Sequence, residues 1–195
     1  MISVHTIVNT VYNSNTFILY HDHSDYVWIV DCGDIDPIVE WLGKNHKTVK
    51  GVLLTHTHHD HIYGLNDLYD LFPKLEVYTS EHGASGLKNT TSNLSKYTIN
   101  PFIYKGDKIM ILDNGSELEL FSNYTISVYY TSGHDISSLT YKLDNFLFTG
   151  DSYIPNVKVV TSFPLGDREA NKESLKLIDS LITSDTIICA GHTIN

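Results

Sequence analysis

Cysteine is nearly absent from this 195-residue chain, which has 2 of them, Cys32 and Cys189. They stand far apart, so they supply neither a disulfide framework nor a Cys-rich zinc knuckle; each is expected to be a buried small apolar residue. Proline (5) and glycine (12) are also few, which excludes collagen-like and Pro/Gly-rich polymers. No run approaches the ~20 apolar residues of a membrane-spanning helix. The opening MISVHTIVNT has neither the basic start nor the apolar core of an export signal. A cytoplasmic protein without a membrane partner is the expectation. Positive charge is scarce too: 13 Lys and Arg against 23 Asp and Glu leave a net charge of −10. That balance repels phosphate backbones and argues against a nucleic-acid partner. No internal repeat and no low-complexity tract is present, and the length suits a single domain over residues 1–195.

What remains is 42% apolar, enough for a sizeable core. Thr16–His21 and Tyr26–Asp31 are aromatic and β-branched runs around a polar turn, a predicted hairpin. Pro37 opens a helical run through IVEWLGKN, and Val49–Thr55 is an almost wholly apolar strand. Ile62–Phe72 is periodic enough for a helix stopped by Pro73, and Leu75–Thr79 returns to strand. The polar stretch Ala84–Pro101 reads as a surface excursion. Lys108–Leu112 and Glu117–Phe121 flank Asp113-Asn114-Gly115, a hairpin signal, and Thr125–Tyr130 follows as a strand. Ser138–Leu143 and Phe146–Phe148 flank a second tight turn; Glu169–Ile182 reads as an amphipathic helix and Thr186–Ala190 as a last strand.

Histidine is the abundant residue, with 11 copies. Thr55-His56-Thr57-His58-His59-Asp60-His61 lies where the apolar strand ends and a helix begins. At a strand end, residues i and i+2 point the same way, so His56 and His58 can hold one ion, while Asp60 and His61 face a second. Imidazole and carboxylate oxygen are donors that zinc, iron and manganese accept. Further ligands must come from elsewhere in the chain. His134 follows SVYYTSG, Asp151 follows FLFTG and His192 follows TIICAG, each just beyond a strand-like run beside a glycine. His59 alternates to the other face and is expected to pack or to support the ligands. His21 and His23 are expected on a solvated turn, and His5, His46 and His82 have no supporting context.

His56-x-His58-x-Asp60-His61, Gly133-His134, Thr149-Gly150-Asp151 and Gly191-His192, in that order, resemble the metallo-β-lactamase superfamily. With the early Asp31-Cys32-Gly33, the likeness covers nearly the whole chain. It implies an α/β, four-layer αβ/βα sandwich, two mixed β-sheets flanked by helices. Carried over residue by residue, it implies one metal on His56, His58 and His134, a second on Asp60, His61 and His192, and Asp151 between them. Asp31 resembles the family's early aspartate, which supports the ligands by hydrogen bonds. Two divalent ions are implied, zinc by default with iron or manganese admissible.

The resemblance implies a metallohydrolase in which a metal-activated hydroxide attacks a small-molecule substrate and Asp60 orients the nucleophile and passes a proton. THTHHDHIYG and LFTGD are closest in style to hydroxyacylglutathione hydrolases (glyoxalase II), and homoserine-lactone hydrolases share the pattern, so a thioester, ester or lactone is expected. Three residues, Thr193–Asn195, follow His192, so the helical glutathione-binding domain of full-length glyoxalases is expected to be missing. Tyr63-Gly64 stands where that group carries two glycines. True β-lactamases usually have no carboxylate at the place of Asp151, which argues against antibiotic hydrolysis. Two alternatives remain, a phosphodiesterase or nuclease of the same superfamily and a persulfide dioxygenase with one iron. The negative charge counts against the first, and the intact Asp60, His61 and His192 against the second. Tyr12, in the turn Asn9–Asn15, and Tyr153, after Asp151, are the substrate-contact candidates.

Overall fold

Along each central strand, alternate side chains go to opposite faces, and this sorts the apolar residues into two cores. The computed structural model describes residues 1–194. The first sheet has six strands in chain order, β1 (Ile2–Val8), β2 (Asn15–His21), β3 (Tyr26–Val30), β4 (Thr48–Leu53), β5 (Glu76–Thr79) and β6 (Ile109–Ile111). β1 to β3 pair antiparallel and β3 to β6 parallel. The second sheet has five strands from β7 (Glu117–Phe121), β8 (Tyr124–Tyr130), β9 (Leu139–Leu143), β10 (Phe146–Gly150) and β11 (Ile187–Ala190). Its pairings are antiparallel except β10 with β11, which is parallel.

Phe17, Leu19, Trp28, Val30 and Leu53 of the first sheet meet Ile126, Val128, Leu139, Tyr141 and Phe148 of the second in the core between the sheets. Ile18, Val27, Ile29, Val52 and Val77 point the other way, onto Ile38 and Leu42 of α1 (Ile35–Asn45) and Leu65 and Leu68 of α2 (Leu65–Leu71). A short helix α3 (Glu81–Gly86) follows β5. On the far side α4 (Arg168–Leu181) lies against the second sheet, its Ser174 hydroxyl donating to the Ser132 carbonyl at 2.6 Å. The order of layers is therefore helices, sheet, sheet, helix, the αβ/βα sandwich. No helix among the described residues is long and apolar enough to cross a membrane.

Four expectations need correction. The N-terminal β1 is a strand that the sequence pattern does not announce, because as an edge strand paired with β2 it leaves His5 and Thr6 exposed and lacks an apolar run. Asp113-Asn114-Gly115 does not close a hairpin: β6 pairs with β5, β7 pairs with β8, and the turn carries the chain from one sheet to the other. The helix expected from Ile62 starts at Leu65, since the Ile62 amide closes a 3₁₀ turn on the His59 carbonyl. Residues 84–101 are not simply a surface excursion. Asn93 and Ser95 are fully buried, with the Asn93 amide donating to the carbonyls of Gly86 (3.1 Å) and Phe102 (3.0 Å). Polar side chains that satisfy buried backbone groups can be interior, a use that composition does not reveal. Cys32 and Cys189 are buried free thiols, as expected.

Candidate metal centre

β4 runs into the site through Leu54 and Thr55, which the second sheet holds in place. The Tyr141 hydroxyl donates to the Leu54 carbonyl at 2.7 Å, and the Leu139 amide donates to the Thr55 carbonyl at 2.6 Å. Beyond that clamp the chain stays extended, so His56 and His58 fall on one side, their ring centroids 4.7 Å apart. A 3₁₀ turn over His59–His61 then reverses the chain and presents Asp60 and His61 to the same space. His134 arrives after Gly133 (φ 139°), where α4 packs too closely for a side chain. Asp151 arrives after Gly150 (φ 49°), which rests on Thr55. His192 follows Gly191, whose amide donates to the Gly150 carbonyl at 2.8 Å.

The structure brings all seven proposed ligands together, in overlapping groups of His56/His58/His134, His56/His61/Asp151 and Asp60/His61/His192. Within each group the ligand atoms lie within 4.8 Å of one another. Asp151 stands between the outer groups, with one carboxylate oxygen 3.5 Å from His61 Nε2 and the other 3.5 Å from His134 Nε2 and 3.2 Å from His192 Nε2.

Hydrogen bonding fixes where each imidazole carries its proton. His134 Nδ1 donates to the Val160 carbonyl (2.8 Å), and His192 Nδ1 to the Tyr12 carbonyl (2.9 Å). His61 Nδ1 donates to the buried Asp31 carboxylate at 2.9 Å. The Thr55 hydroxyl spends its own proton on Asp31 (2.7 Å), so it accepts from His56 Nδ1 at 3.1 Å. His58 Nε2 faces Asp135 Oδ2 at 3.4 Å. The outer nitrogens of His56, His61, His134 and His192 thus carry a proton, the outer nitrogen of His58 lies beside a carboxylate oxygen that has no hydrogen-bond partner, and the inner nitrogens are left to offer lone pairs to an ion. His134 Nε2 and His58 Nδ1 face each other at 2.9 Å, and His61 Nε2 and His192 Nε2 at 3.3 Å. The inner Nε2 of His56 and Oδ1 of Asp151 are buried without any hydrogen-bond partner. Facing lone pairs repel, and buried acceptors left unpaired are costly. Donors around one tetrahedral zinc at ~2.0–2.1 Å would lie roughly 3.3 Å apart, close to the 2.9–3.5 Å of the facing pairs here, so the chemistry and spacing of the residues fit divalent ions.

Without an ion, protons take part of that role. Burial opposes charge on His61, but Asp60, Asp151 and Asp31 outweigh it and push the ring up to about 9. His192 is likewise raised, to about 11, because burial is outweighed by the hydrogen bonds its ring donates to the Asp151 and Asp60 carboxylates. Burial holds His56 far below the ordinary imidazole range, and its imidazole neighbours push it further down. Burial would raise Asp60, yet His61 and His192 hold it well below the usual carboxylate range.

Asp31, expected to support the ligands by hydrogen bonds, lies beneath His61 and, through Thr55, beneath His56. Its left-handed backbone (φ 56°) turns the carboxylate inward after β3. Tyr12 borders the cavity mouth, 79% exposed, and its carbonyl accepts from His192 Nδ1. Tyr153 does not line this cavity. It borders a separate depression with Arg168 and Leu175, whereas its neighbour Ile154 lines both that depression and the cavity. His59 stacks on Tyr63 at 5.7 Å, a packing role. Asp135 was missed; its only signal was its place beside His134, and its contact with His58 is tertiary.

Above the cluster opens a cavity of about 470 Å³, walled by segments following α3 and β10 and by the turn at Tyr12. The family model described as "Metallo-beta-lactamase superfamily" matches residues 9–192. A hydroxyacylglutathione hydrolase from Buchnera aphidicola subsp. Acyrthosiphon pisum (strain APS) is 27% identical over 183 residues, 86% of this chain. The chain spans only 61% of that relative's length. Among solved structures, the BLEG-1 B3 metallo-beta-lactamase superposes with a TM-score of 0.88 at 26% identity, covering 100% of this chain and 92% of the other. TTHA1623 in a di-iron-bound form gives 0.83 at 19% identity, covering 98% and 93%.

Proposed function

Since this chain belongs to the metallo-β-lactamase superfamily, we propose that it is a metal-dependent hydrolase with a dinuclear centre, acting on a small thioester, ester or lactone. The observation that carries this reading is the inward convergence of five imidazole lone pairs and two carboxylates beneath an open cavity. His56, His58 and His134 would hold one ion, Asp60, His61 and His192 the other, and Asp151 would reach both. Zinc suits this nitrogen and oxygen set, and iron or manganese also accept it. When bound, the ions supply a water acidified towards neutrality and Lewis-acid polarisation of the substrate's oxygen.

The chain's own residues do the rest. The outer hydrogen bonds hold each ring in one tautomer, so no rearrangement is needed during reaction. Asp60 is the catalytic carboxylate of this reading. Its side chain, 14% exposed at the cavity floor, can orient the attacking water and carry its proton to the leaving group. Burial of His56, His58 and His61 excludes competing solvent from the ligand nitrogens. The name of the 27%-identical relative supports hydrolysis. A cytoplasmic setting belongs to the same reading, supported by two buried free thiols.

Metal analysis joined to a panel of thioesters, esters, lactones, a β-lactam and a phosphodiester tests it. Turnover of a thioester, ester or lactone by metal-loaded protein, lost together with metal in His58→Ala and Asp151→Ala, is expected. Full activity in either variant without bound metal overturns the proposal, as does turnover of the phosphodiester or β-lactam alone.

A further inference from the structure

Beyond the ligand cluster, the cavity wall is mostly apolar and carries no lysine, arginine or further carboxylate. Leu94 and Tyr97 form one side, and Ile154, Val160 and Phe163 the other. Phe163 reaches the cluster itself, its ring edge-to-face with His58 at 5.2 Å and with His134 at 5.6 Å. Lys96, the cation beside this wall in sequence, places its Nζ over the Tyr97 ring, 4.8 Å from the centroid. Outside the ligands, Thr98, Tyr12, Tyr97 and His59 are the polar residues of the lining, and the His59 ring is stacked on Tyr63.

An anion moved from water into such a wall loses hydration and gains no charged partner, a heavy penalty. The chain's net charge of −10 adds long-range repulsion. An alkyl or aromatic group gains by the same transfer, since the wall it covers is itself apolar. We infer that the part of the substrate outside the reacting carbonyl is uncharged and apolar, and that a thiol carrier bearing free carboxylates, such as glutathione, is discriminated against. The inference takes its reacting group from the hydrolase reading, whereas its selectivity rests on the wall alone.

Binding of non-hydrolysable thioethers separates the two. S-hexylglutathione and its N-acetylated bis(ethylamide) share a skeleton but differ in charge, and isothermal titration of each into the metal-loaded full chain measures the preference. The uncharged bis-amide should bind at least about tenfold more tightly. Phe163→Ala should weaken the bis-amide about tenfold through lost apolar contact, and Tyr97→Lys should narrow or invert the preference. Lys96→Gln should leave the preference unchanged. Equal or tighter binding of the anionic thioether by the unmodified protein overturns the inference, as does failure of both compounds to bind. Preference for the bis-amide without turnover of any ester, thioester or lactone would sink the hydrolase reading and leave this one standing. Turnover with an anionic preference would do the reverse.

Discussion

Asp31→Asn changes one atom in a fully buried side chain, and the structure leaves it no comfortable orientation. Asp31 Oδ1 accepts from the Thr55 amide at 2.8 Å, while Oδ2 accepts from the Thr55 hydroxyl at 2.7 Å and from His61 Nδ1 at 2.9 Å. If the new amide nitrogen takes the first place, two donors face each other across the Thr55 amide. If it takes the second, it donates to His61 Nδ1, and the His61 proton must move to Nε2, where it points at the metal position. The Thr55 hydroxyl then also loses its acceptor and can no longer be relied on to accept from His56. Loss of charge-assisted bonds of this kind costs about 3 kcal/mol of stability. Outer hydrogen bonds to ligating histidines typically contribute 10–100-fold in metal affinity, about 1.4–2.7 kcal/mol. A competition titration against a chromophoric chelator, resolving two binding steps, should show the larger loss in the step that involves His61. Thr55→Val, which breaks only the relay to His56, should show a smaller loss. Unchanged affinity in both steps for folded Asp31→Asn would refute the tautomer argument.

Further outcomes follow from the same contacts. In metal-free protein, His61 and His192 are raised from 6.5 to about 9 and about 11, so their stabilising ion pairs are present below pH 6.5 and lost as pH climbs through those values. The metal-free thermal midpoint should therefore fall between pH 7 and pH 10, and a rise would contradict the His61 and His192 ion pairs with Asp60 and Asp151. The same protons must leave on metal uptake, so titrations in buffers of different ionisation enthalpy should register proton release, and affinity should increase with pH. Gly191→Ala would drive a methyl into Asp151 Oδ1 and to 2.8 Å from the Gly150 backbone. It should lower metal stoichiometry by elemental analysis, with far-UV circular dichroism showing the sheets intact. Asp135→Asn should weaken metal binding at the His58 step of the chelator titration more than at the His61 step, because His58 is the ligand that faces that carboxylate, whose other oxygen is held by Ser137.

The ligand cluster was legible because its signals are local. A buried strand must end where its polar residues begin, and ligand-type side chains crowded at that boundary are unusual enough to read directly. The repeated strand, glycine and ligand pattern at His134, Asp151 and His192 is local in the same way, and the structure shows its purpose. Gly133 yields to α4, Gly150 to Thr55 and Gly191 to Asp151. What could not be read depends on partners distant in sequence. Gly115 has the positive φ (83°) of a tight turn, but that conformation serves a crossover between sheets as well as a hairpin. Asn93 and Ser95 have the composition of a surface loop and become interior only through carbonyls at Gly86 and Phe102. Asp135 and the Val160 carbonyl orient His58 and His134 across the fold, and nothing near either in sequence announces it.

Strand direction explains why one edge of the sandwich can collect every ligand. β3 and β4 are parallel, β10 and β11 are parallel, and β8 lies two antiparallel steps from β10 and so runs parallel to it. Asp31, His56, His134, Asp151 and His192 each lie just beyond the carboxyl end of one of these strands. Loops at carboxyl ends are where such sheets place ligands, because parallel strands deliver several chain reversals to the same rim. The apolar strands are held by burial between the sheets and against α1 and α2, so the histidines inherit rigid positions that no loop could give them alone. That rigidity keeps like-charged carboxylates and facing lone pairs together despite their repulsion. It follows that substitutions in the core between the sheets, such as Leu53→Ala beside the His56 strand end, should lower metal affinity as well as stability. A cut at an exposed turn such as Asn123 should lower neither.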